Sequence, residues 1–320
     1  MREIRLKSFL PALKIITAAL ILGYLLYKVP FGGIWDEMGG AKLQFLVLAG
    51  VGALLVQWTT ADRLKRLLRV SGNKISTWVV FNINLSTLFY GLFLPGGNVT
   101  GILIRFYRLS TEKQDPYAVG VALFSDRIIS TIALLLVGIV FWLPNQPEEG
   151  WLSTLIMTVL LVGLVLTILF FSIVEKIPFV RPVYNLVLRY GGSLALKIQR
   201  AIKDQARIPA LSGVVIFLLS VLTQLLGVLS YWFIARSLEI DIGFITMGWV
   251  RSTIILATMI PLTPSGIGLR EGAALLLLTQ LGVSEESALA FSLLVFGITI
   301  LVVGLIGGLF EGRRLVFNRG

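Results

Sequence analysis

Long apolar stretches dominate the chain, and polar residues are gathered into the segments between them. Six of these apolar stretches are continuous. Each reaches the roughly 17 to 25 residues that a membrane-spanning helix needs. The pattern therefore predicts six spanning helices, over residues 11–29, 43–61, 117–143, 151–174, 209–236 and 287–310.

Two further apolar stretches, 76–107 and 244–282, are interrupted near the middle. Proline lacks a backbone donor and clashes with the preceding helical turn, while glycine lets the backbone reverse. Each stretch can therefore be read as one kinked span or as a re-entrant hairpin of two half-helices. The interrupting residues are Pro95, Gly96 and Gly97 in the first stretch, and Pro261, Pro264 and Gly268 in the second.

Loop charge decides between these two interpretations. Of the 28 Lys and Arg residues, 22 lie in the segments 1–14, 63–74, 105–113, 176–207 and 313–319. The other loops carry acidic pairs, such as Glu148 and Glu149. Positively charged loops face the cytoplasm, so we expect two opposed hairpins, the first entering from the cytoplasm and the second from outside. Both termini are then cytoplasmic, and we expect the plasma or inner membrane of a prokaryote.

The two interrupted stretches also share a sequence register. Pro95 precedes Tyr117, which opens a long span, by 22 residues, and Pro264 precedes Ser287 by 23. Each half contains three spans and one hairpin, so the second half enters the membrane upside down. The sequence predicts an all-α polytopic membrane protein of two inverted repeats, 1–143 and 144–320, an arrangement typical of secondary transporters. Alternatively, the interruptions only relieve packing strain.

The amino-acid composition limits the chemistry that the chain can carry out. The chain is 56% hydrophobic and 14% charged, against about 25% charged in soluble domains. It has no Cys and no His, which excludes disulfides, thiolate chemistry and the commonest zinc ligand. We expect no metal, no cofactor and no enzymatic activity. The net charge of +11 is accounted for by the loop bias, so a nucleic-acid partner is not expected.

Five ionisable residues fall inside the apolar segments, namely Asp126, Arg127, Arg251, Arg270 and Glu271. Such residues cost about 2.5 to 3.5 kcal/mol each at the membrane centre and usually face one another or a polar cavity. Three arginines against two acids leave one positive charge. The alternative to a ligand site is that Asp126 with Arg270, or Glu271 with Arg127, forms a structural ion pair that locks the two halves together.

An anionic ligand suits this set of residues. A half-helix that starts at Ser265 and Gly266 would offer free N–H groups and a positive dipole end. Guanidinium groups match phosphate oxygens in particular. For Arg105, snorkelling to the cytoplasmic surface is an alternative. The candidate substrate-binding residues are Asn98, Arg105, Asp126, Arg127, Arg251, Ser265, Gly266, Arg270 and Glu271.

The run from Leu262 to Ala273, LTPSGIGLREGA, resembles the signature of the lysylphosphatidylglycerol synthase/flippase transmembrane family, which includes the membrane half of the multiple peptide resistance factor. The run from Leu94 through Arg105 to Asp126 and Arg127 is similar to its first signature, although an acidic residue often found before that Arg is absent. The resemblance covers about residues 40–312 and implies the lipid-translocating half without the synthase half.

The leading hypothesis is therefore a lipid flippase. It would move a phospholipid or another anionic lipid between leaflets, with the head group held between the two hairpins. The alternatives are a membrane-embedded lipid-modifying transferase and a non-catalytic lipid-binding partner subunit. A separate lipid-synthesising enzyme is a possible partner, and the oligomeric state is left open.

Overall fold

The computed structural model describes residues 31–70, 74–94, 98–112, 115–145, 208–260 and 266–317, together with positions 23, 29, 72, 155, 158, 161–163 and 263. These residues are helical apart from short connections, which confirms the all-α prediction. The predicted spans 11–29 and 151–174 lie almost entirely outside the described residues.

Ten helices are numbered here along the described part of the chain. A short 3₁₀ turn, Leu143–Asn145, follows the fifth, and a π-helical segment, Gly297–Val302, joins the last two. The helices are α1 (Phe31–Gly39), α2 (Leu43–Val70), α3 (Thr77–Phe93), α4 (Asn98–Thr111), α5 (Pro116–Trp142), α6 (Ala210–Ser237), α7 (Phe244–Met259), α8 (Leu269–Gln280), α9 (Glu285–Phe296) and α10 (Val303–Phe317).

Four helical stretches are long and apolar enough to cross a membrane. They are α2, α5, α6 and the continuous stretch Glu285–Arg314 that runs from α9 into α10. These match the spans predicted over 43–61, 117–143, 209–236 and 287–310. Helices α3 and α7 are apolar but shorter. The chain is therefore a multi-pass membrane protein.

The charged end of α2 corrects the sequence prediction. The sequence ended this span at residue 61 and assigned 63–74 to a cytoplasmic loop, whereas α2 continues to Val70. Asp62 accepts from Arg66 Nε at 2.8 Å, one helical turn further on. Such i,i+4 pairs support a helix. Arg63 is only 2% exposed, so this polar segment is partly a buried helical turn.

The backbone is interrupted where the sequence predicted. Helix α3 ends at Phe93 and α4 begins at Asn98, while α7 ends at Met259 and α8 begins at Leu269. Gly266 and Gly268 have φ of +73° and +86°, a conformation that disfavours a residue with a Cβ. The predicted break residues Pro95, Gly96, Gly97, Pro261 and Pro264 lie outside the described residues.

The two helices at each break lie close together. A Cβ on Gly101 of α4 would be 3.1 Å from the carbonyl oxygen of Thr87 on α3. A Cβ on Gly266, just before α8, would be 2.8 Å from Thr258 Cβ on α7. The chain therefore turns back on itself at both breaks. That each helix pair enters and leaves the membrane from one side stays a prediction.

The chain forms two compact units. Unit 1 comprises residues 1–56, 84–104 and 225–320, and unit 2 comprises 57–83 and 105–224. Helices α2, α3, α4 and α6 each contribute residues to both units. The units are not the predicted repeats 1–143 and 144–320, and the repeats stay a prediction.

In unit 1, α10 packs against α3 through glycines. A Cβ on Gly307 would collide with the backbone of Leu85 and lie 2.8 Å from Ser86 N. Small residues at a membrane-helix interface let two backbones approach closely. At the same contact, Ser86 Oγ donates to Glu311 Oε2 at 3.1 Å, so a buried polar pair fixes the two helices in register.

Candidate functional site

Arg270 and Glu271 form a buried ion pair at the start of α8. Arg270 Nη2 lies 2.7 Å from Glu271 Oε1, and Arg270 Nε donates to the same oxygen at 3.1 Å. Both side chains are buried. Two donors on one carboxylate oxygen hold the guanidinium firmly, as charge-assisted hydrogen bonds do.

Glu271 also caps α8. Its second oxygen, Oε2, accepts from the Gly268 N–H at 2.6 Å, which satisfies a donor left without an intrahelical partner at the helix start. A carboxylate in the first helical turn also complements the helix dipole. Both oxygens of Glu271 are thus engaged, one by Arg270 and one by Gly268, and the geometry gives Glu271 a structural role.

Arg251 of α7 enters the same region from the side. Its guanidinium carbon lies 5.4 Å from the centroid of the Tyr231 ring, within the range of a cation–π interaction. A Cβ on Gly227 of α6 would lie only 2.5 Å from Arg251 Cζ and 2.8 Å from Arg251 Nε. The guanidinium therefore occupies the space that a side chain at position 227 would fill.

Tyr231 of α6 is a buried neighbour of these charged groups. It lies within range of the charges of Arg251, Arg270 and Glu271. Arg270 also lies over the Phe296 ring, 4.8 Å from its centroid. We call Arg251, Arg270 and Glu271 the helix-break cluster. Two arginines and one glutamate give this cluster a net charge of +1, and all three side chains are buried.

A second buried group of charges lies in unit 2, around Asp126 of α5. Arg63 Nε of α2 donates to Asp126 Oδ1 at 2.7 Å, and Arg63 Nη1 donates to Ser220 Oγ of α6 at 3.1 Å. Arg105 Nη1 of α4 lies 4.0 Å from Asp126 Oδ2. In this group two arginines lie within 4.0 Å of one carboxylate.

Sequence reasoning missed Arg63 because it was counted as a cytoplasmic loop charge. One signal in the sequence could have found it. Leu64, Leu67 and Leu68 continue an apolar stripe at helical spacing beyond residue 61, and all three are buried. A helix that keeps its apolar stripe also keeps the neighbouring Arg63 at a buried position.

The remaining predicted residues differ in burial and in position. Arg127 is exposed, whereas its neighbour Asp126 is buried. Asn98 begins α4, Gly266 is buried before α8, and Ser265 lies outside the described residues. The structure thus brings the predicted charged residues other than Arg127 together as two clusters, one in each unit.

The buried ion pairs within each unit differ from the pairings considered from sequence. Those pairings joined Asp126 to Arg270 and Glu271 to Arg127. Glu271 pairs instead with its neighbour Arg270, and Asp126 pairs with Arg63. The physical reason is local: Glu271 caps the helix that carries Arg270, and the extension of α2 brings Arg63 to Asp126.

Residues 12–307 match the protein-family model described as "Lysylphosphatidylglycerol synthase TM region". Because the match covers most of the chain, the protein belongs to this family. A comparison with curated proteins found no match. Family membership links the chain to membrane lipid.

Proposed function

We propose, from membership in the lysylphosphatidylglycerol synthase transmembrane-region family, that the protein moves a phosphate-bearing lipid between the leaflets of the membrane. The observation that carries the proposal is the helix-break cluster, a buried group with a net charge of +1 beside a break between two helices. The lipid's phosphate is the ligand that this cluster would bind.

The chemistry of the cluster favours an anion. A buried positive charge is costly in a membrane unless an anion or a polar cavity compensates it. Glu271 already uses both oxygens, on Arg270 and on the Gly268 N–H. A phosphate diester brings one negative charge, which would neutralise the three residues together. Guanidinium donors match its oxygens in geometry as well as in charge.

The two arginines have different neighbours. Arg270 donates two hydrogen bonds to Glu271, and this arrangement would keep its position with or without a lipid. Arg251 lies over the Tyr231 ring and against Gly227. In the proposal Arg251 is the arginine that contacts the moving head group, and Arg270 is the fixed charge.

The wider arrangement belongs to the same proposal. It includes six spans, two opposed re-entrant hairpins, a head group held between these hairpins, and cytoplasmic termini in a prokaryotic plasma membrane. The supporting features are the four long apolar helices, the two backbone breaks and the basic loops. The acyl chains would stay in the bilayer while the head group crosses.

The test uses purified protein in phosphatidylcholine liposomes that carry a trace of fluorescent phosphatidylglycerol or fluorescent phosphatidylcholine. A membrane-impermeant reductant bleaches only the outer leaflet, so the slow phase reports transbilayer movement. We expect faster movement with protein than in empty liposomes, and a larger acceleration for phosphatidylglycerol. No acceleration for any lipid would contradict the proposal, and a new lipid product formed from an added donor would indicate a transferase.

A matched pair of arginine variants locates the site. Arg251→Gln removes a charged donor, and hydrogen bonds to charged groups contribute about 1.5–3 kcal/mol, so we expect the phosphatidylglycerol rate to fall by about tenfold or more. Arg236→Gln is the control, because Arg236 is exposed in the last turn of α6 and pairs with Asp241 in the loop that follows. Equal rates for the two variants would show that the helix-break cluster takes no part in lipid movement.

A further inference from the structure

One edge of the Arg105 guanidinium in unit 2 is buried and meets no acceptor from the described part of the chain. Arg105 Nε and Nη2 have no hydrogen-bond partner among the described residues. The other terminal nitrogen, Nη1, lies 4.0 Å from Asp126 Oδ2, which is longer than a hydrogen bond. Arg105 is thus attracted to Asp126 without donating to it.

The two unpartnered nitrogens are adjacent. Nε and Nη2 flank the same side of the guanidinium and donate in parallel, which is the edge that binds a carboxylate or phosphate with two hydrogen bonds. Leaving such donors unmet inside a membrane protein costs the full desolvation of each. The edge is therefore complementary to an anion with two neighbouring oxygens.

Arg63 explains why Asp126 does not fill this role. Asp126 Oδ1 accepts from Arg63 Nε at 2.7 Å, and Arg63 is itself held by Ser220 Oγ at 3.1 Å. The carboxylate is thus kept on Arg63 and away from Arg105. Two arginines and one aspartate leave a net charge of +1 in this group.

We propose that Arg63, Arg105 and Asp126 form a second anion site, in which Arg105 Nε and Nη2 bind two oxygens of one phosphate group. Arg63 is the positioning residue that keeps Asp126 from closing the site. The protein then binds two phosphate groups, one here and one at the helix-break cluster. The inference rests on the proposed function for its choice of a phospholipid as the first probe.

The experiment counts bound lipid. The full chain is placed in nanodiscs of phosphatidylcholine with a minor fraction of phosphatidylglycerol, released in the gas phase, and weighed by native mass spectrometry. We expect Arg105→Gln to lose one of the phosphatidylglycerol molecules that the wild-type protein retains. Arg105→Lys, which keeps the charge but not the two-donor edge, should lose the same molecule. Arg69→Gln, at an exposed position in the last turn of α2, is the control and should lose none.

Two further variants separate a binding site from a structural ion pair. Asp126→Asn removes the competing carboxylate, so it should raise phosphatidylglycerol retention severalfold. Arg63→Gln releases Asp126 to pair with Arg105, so it should abolish retention at this site. If the group is only a structural ion pair, both variants should unfold, and they should not change phosphatidylglycerol retention in opposite directions. If Arg105→Gln fails to fold, Arg105→Lys and Asp126→Asn decide the question.

A second arm distinguishes a lipid from a free anion. Inorganic phosphate is added to wild-type protein in discs without phosphatidylglycerol, and the unfolding temperature is compared with that in chloride at equal ionic strength. If phosphate stabilises the wild-type protein and Arg105→Lys abolishes this stabilisation, the result also supports the site and assigns it to a soluble anion. The inference would be overturned if Arg105→Lys and Asp126→Asn kept the wild-type lipid count and phosphate either failed to stabilise the wild-type protein or stabilised Arg105→Lys equally.

The two proposals fail separately. If Arg105→Lys loses a lipid but no protein accelerates lipid movement, the second site stands and the transport proposal falls. If the wild-type protein moves phosphatidylglycerol and Arg105→Lys retains the full lipid count, the transport proposal stands and the second site falls.

Discussion

At the residue scale, the buried charged residues divide into those with a structural role and those proposed to bind the ligand. Glu271 holds the start of α8 and one arginine at once. Arg251, by contrast, lies over the Tyr231 ring and against Gly227. This division predicts that the two residues respond differently to substitution, one in stability and the other in transport.

Glu271→Ala should destabilise the protein. The substitution removes the acceptor of the Gly268 N–H and leaves Arg270 buried without its carboxylate, a loss of about 3–5 kcal/mol for a broken buried pair. Unfolding of the detergent-solubilised protein by heat and by denaturant measures the effect.

The double variant Arg270→Ala/Glu271→Ala is the control for this prediction. Removing both charges leaves no unpaired ion. The double variant should therefore lose less unfolding free energy than the two single variants lose in total. Wild-type stability in Glu271→Ala combined with lost lipid movement would instead make Glu271 a ligand contact.

The charged residues of the site were only partly predictable from sequence. Asp126, Arg251, Arg270 and Glu271 stand out because each interrupts an apolar stretch, and all four are buried. Their partners did not follow from sequence, because pairing depends on which helices meet. The pairing of Asp126 with Arg63 required the extension of α2, which the charge count had placed in a loop.

At the element scale, the helix breaks were the most predictable feature. Proline and glycine act on the backbone locally, so the interruptions between α3 and α4 and between α7 and α8 follow from sequence. The end of α2 did not follow, because a charged residue ends an apolar stretch without ending a helix. Asp62 and Arg66 extend the helix through an i,i+4 pair.

Gly307→Ala should weaken the contact between α10 and α3. The new Cβ would meet the backbone of Leu85 and Ser86, which cannot move aside as a side chain can, so we expect a loss of about 1–3 kcal/mol or more. Thermal unfolding in one detergent measures this effect.

Gly312 on the same helix supplies the matched control. A Cβ there would meet nothing within 4 Å, so Gly312→Ala should be neutral or stabilising by up to about 1 kcal/mol through helix propensity. Equal stability of the Gly307 and Gly312 variants would show that α10 and α3 do not approach through glycine.

At the scale of the whole molecule, the multi-pass membrane character followed from sequence and the two compact units did not. Apolar length is a property of each segment alone, so four predicted spans match four long helices. The units instead divide single helices such as α2 and α6. Such a division depends on contacts between residues far apart in the chain, which one sequence does not display.

Topology can be tested directly because the chain contains no cysteine. In oriented vesicles, a membrane-impermeant maleimide should label Asp241→Cys from outside, since Asp241 is exposed in the predicted outer loop between α6 and α7. Lys74→Cys, exposed in a predicted cytoplasmic segment, should be labelled only after permeabilisation. The opposite pattern would reverse the orientation, and labelling of both positions from one side would contradict the topology.

The most direct test of the central claim compares two alanine substitutions in the fluorescent phosphatidylglycerol assay. Gly227→Ala places a methyl group where the Arg251 guanidinium lies, and a flexible arginine tip can yield without unfolding the protein. Gly272→Ala, in the same unit, adds a methyl group that meets nothing within 4 Å. The proposed function predicts that Gly227→Ala folds normally but moves phosphatidylglycerol severalfold more slowly than Gly272→Ala; equal rates for the two folded variants would contradict it.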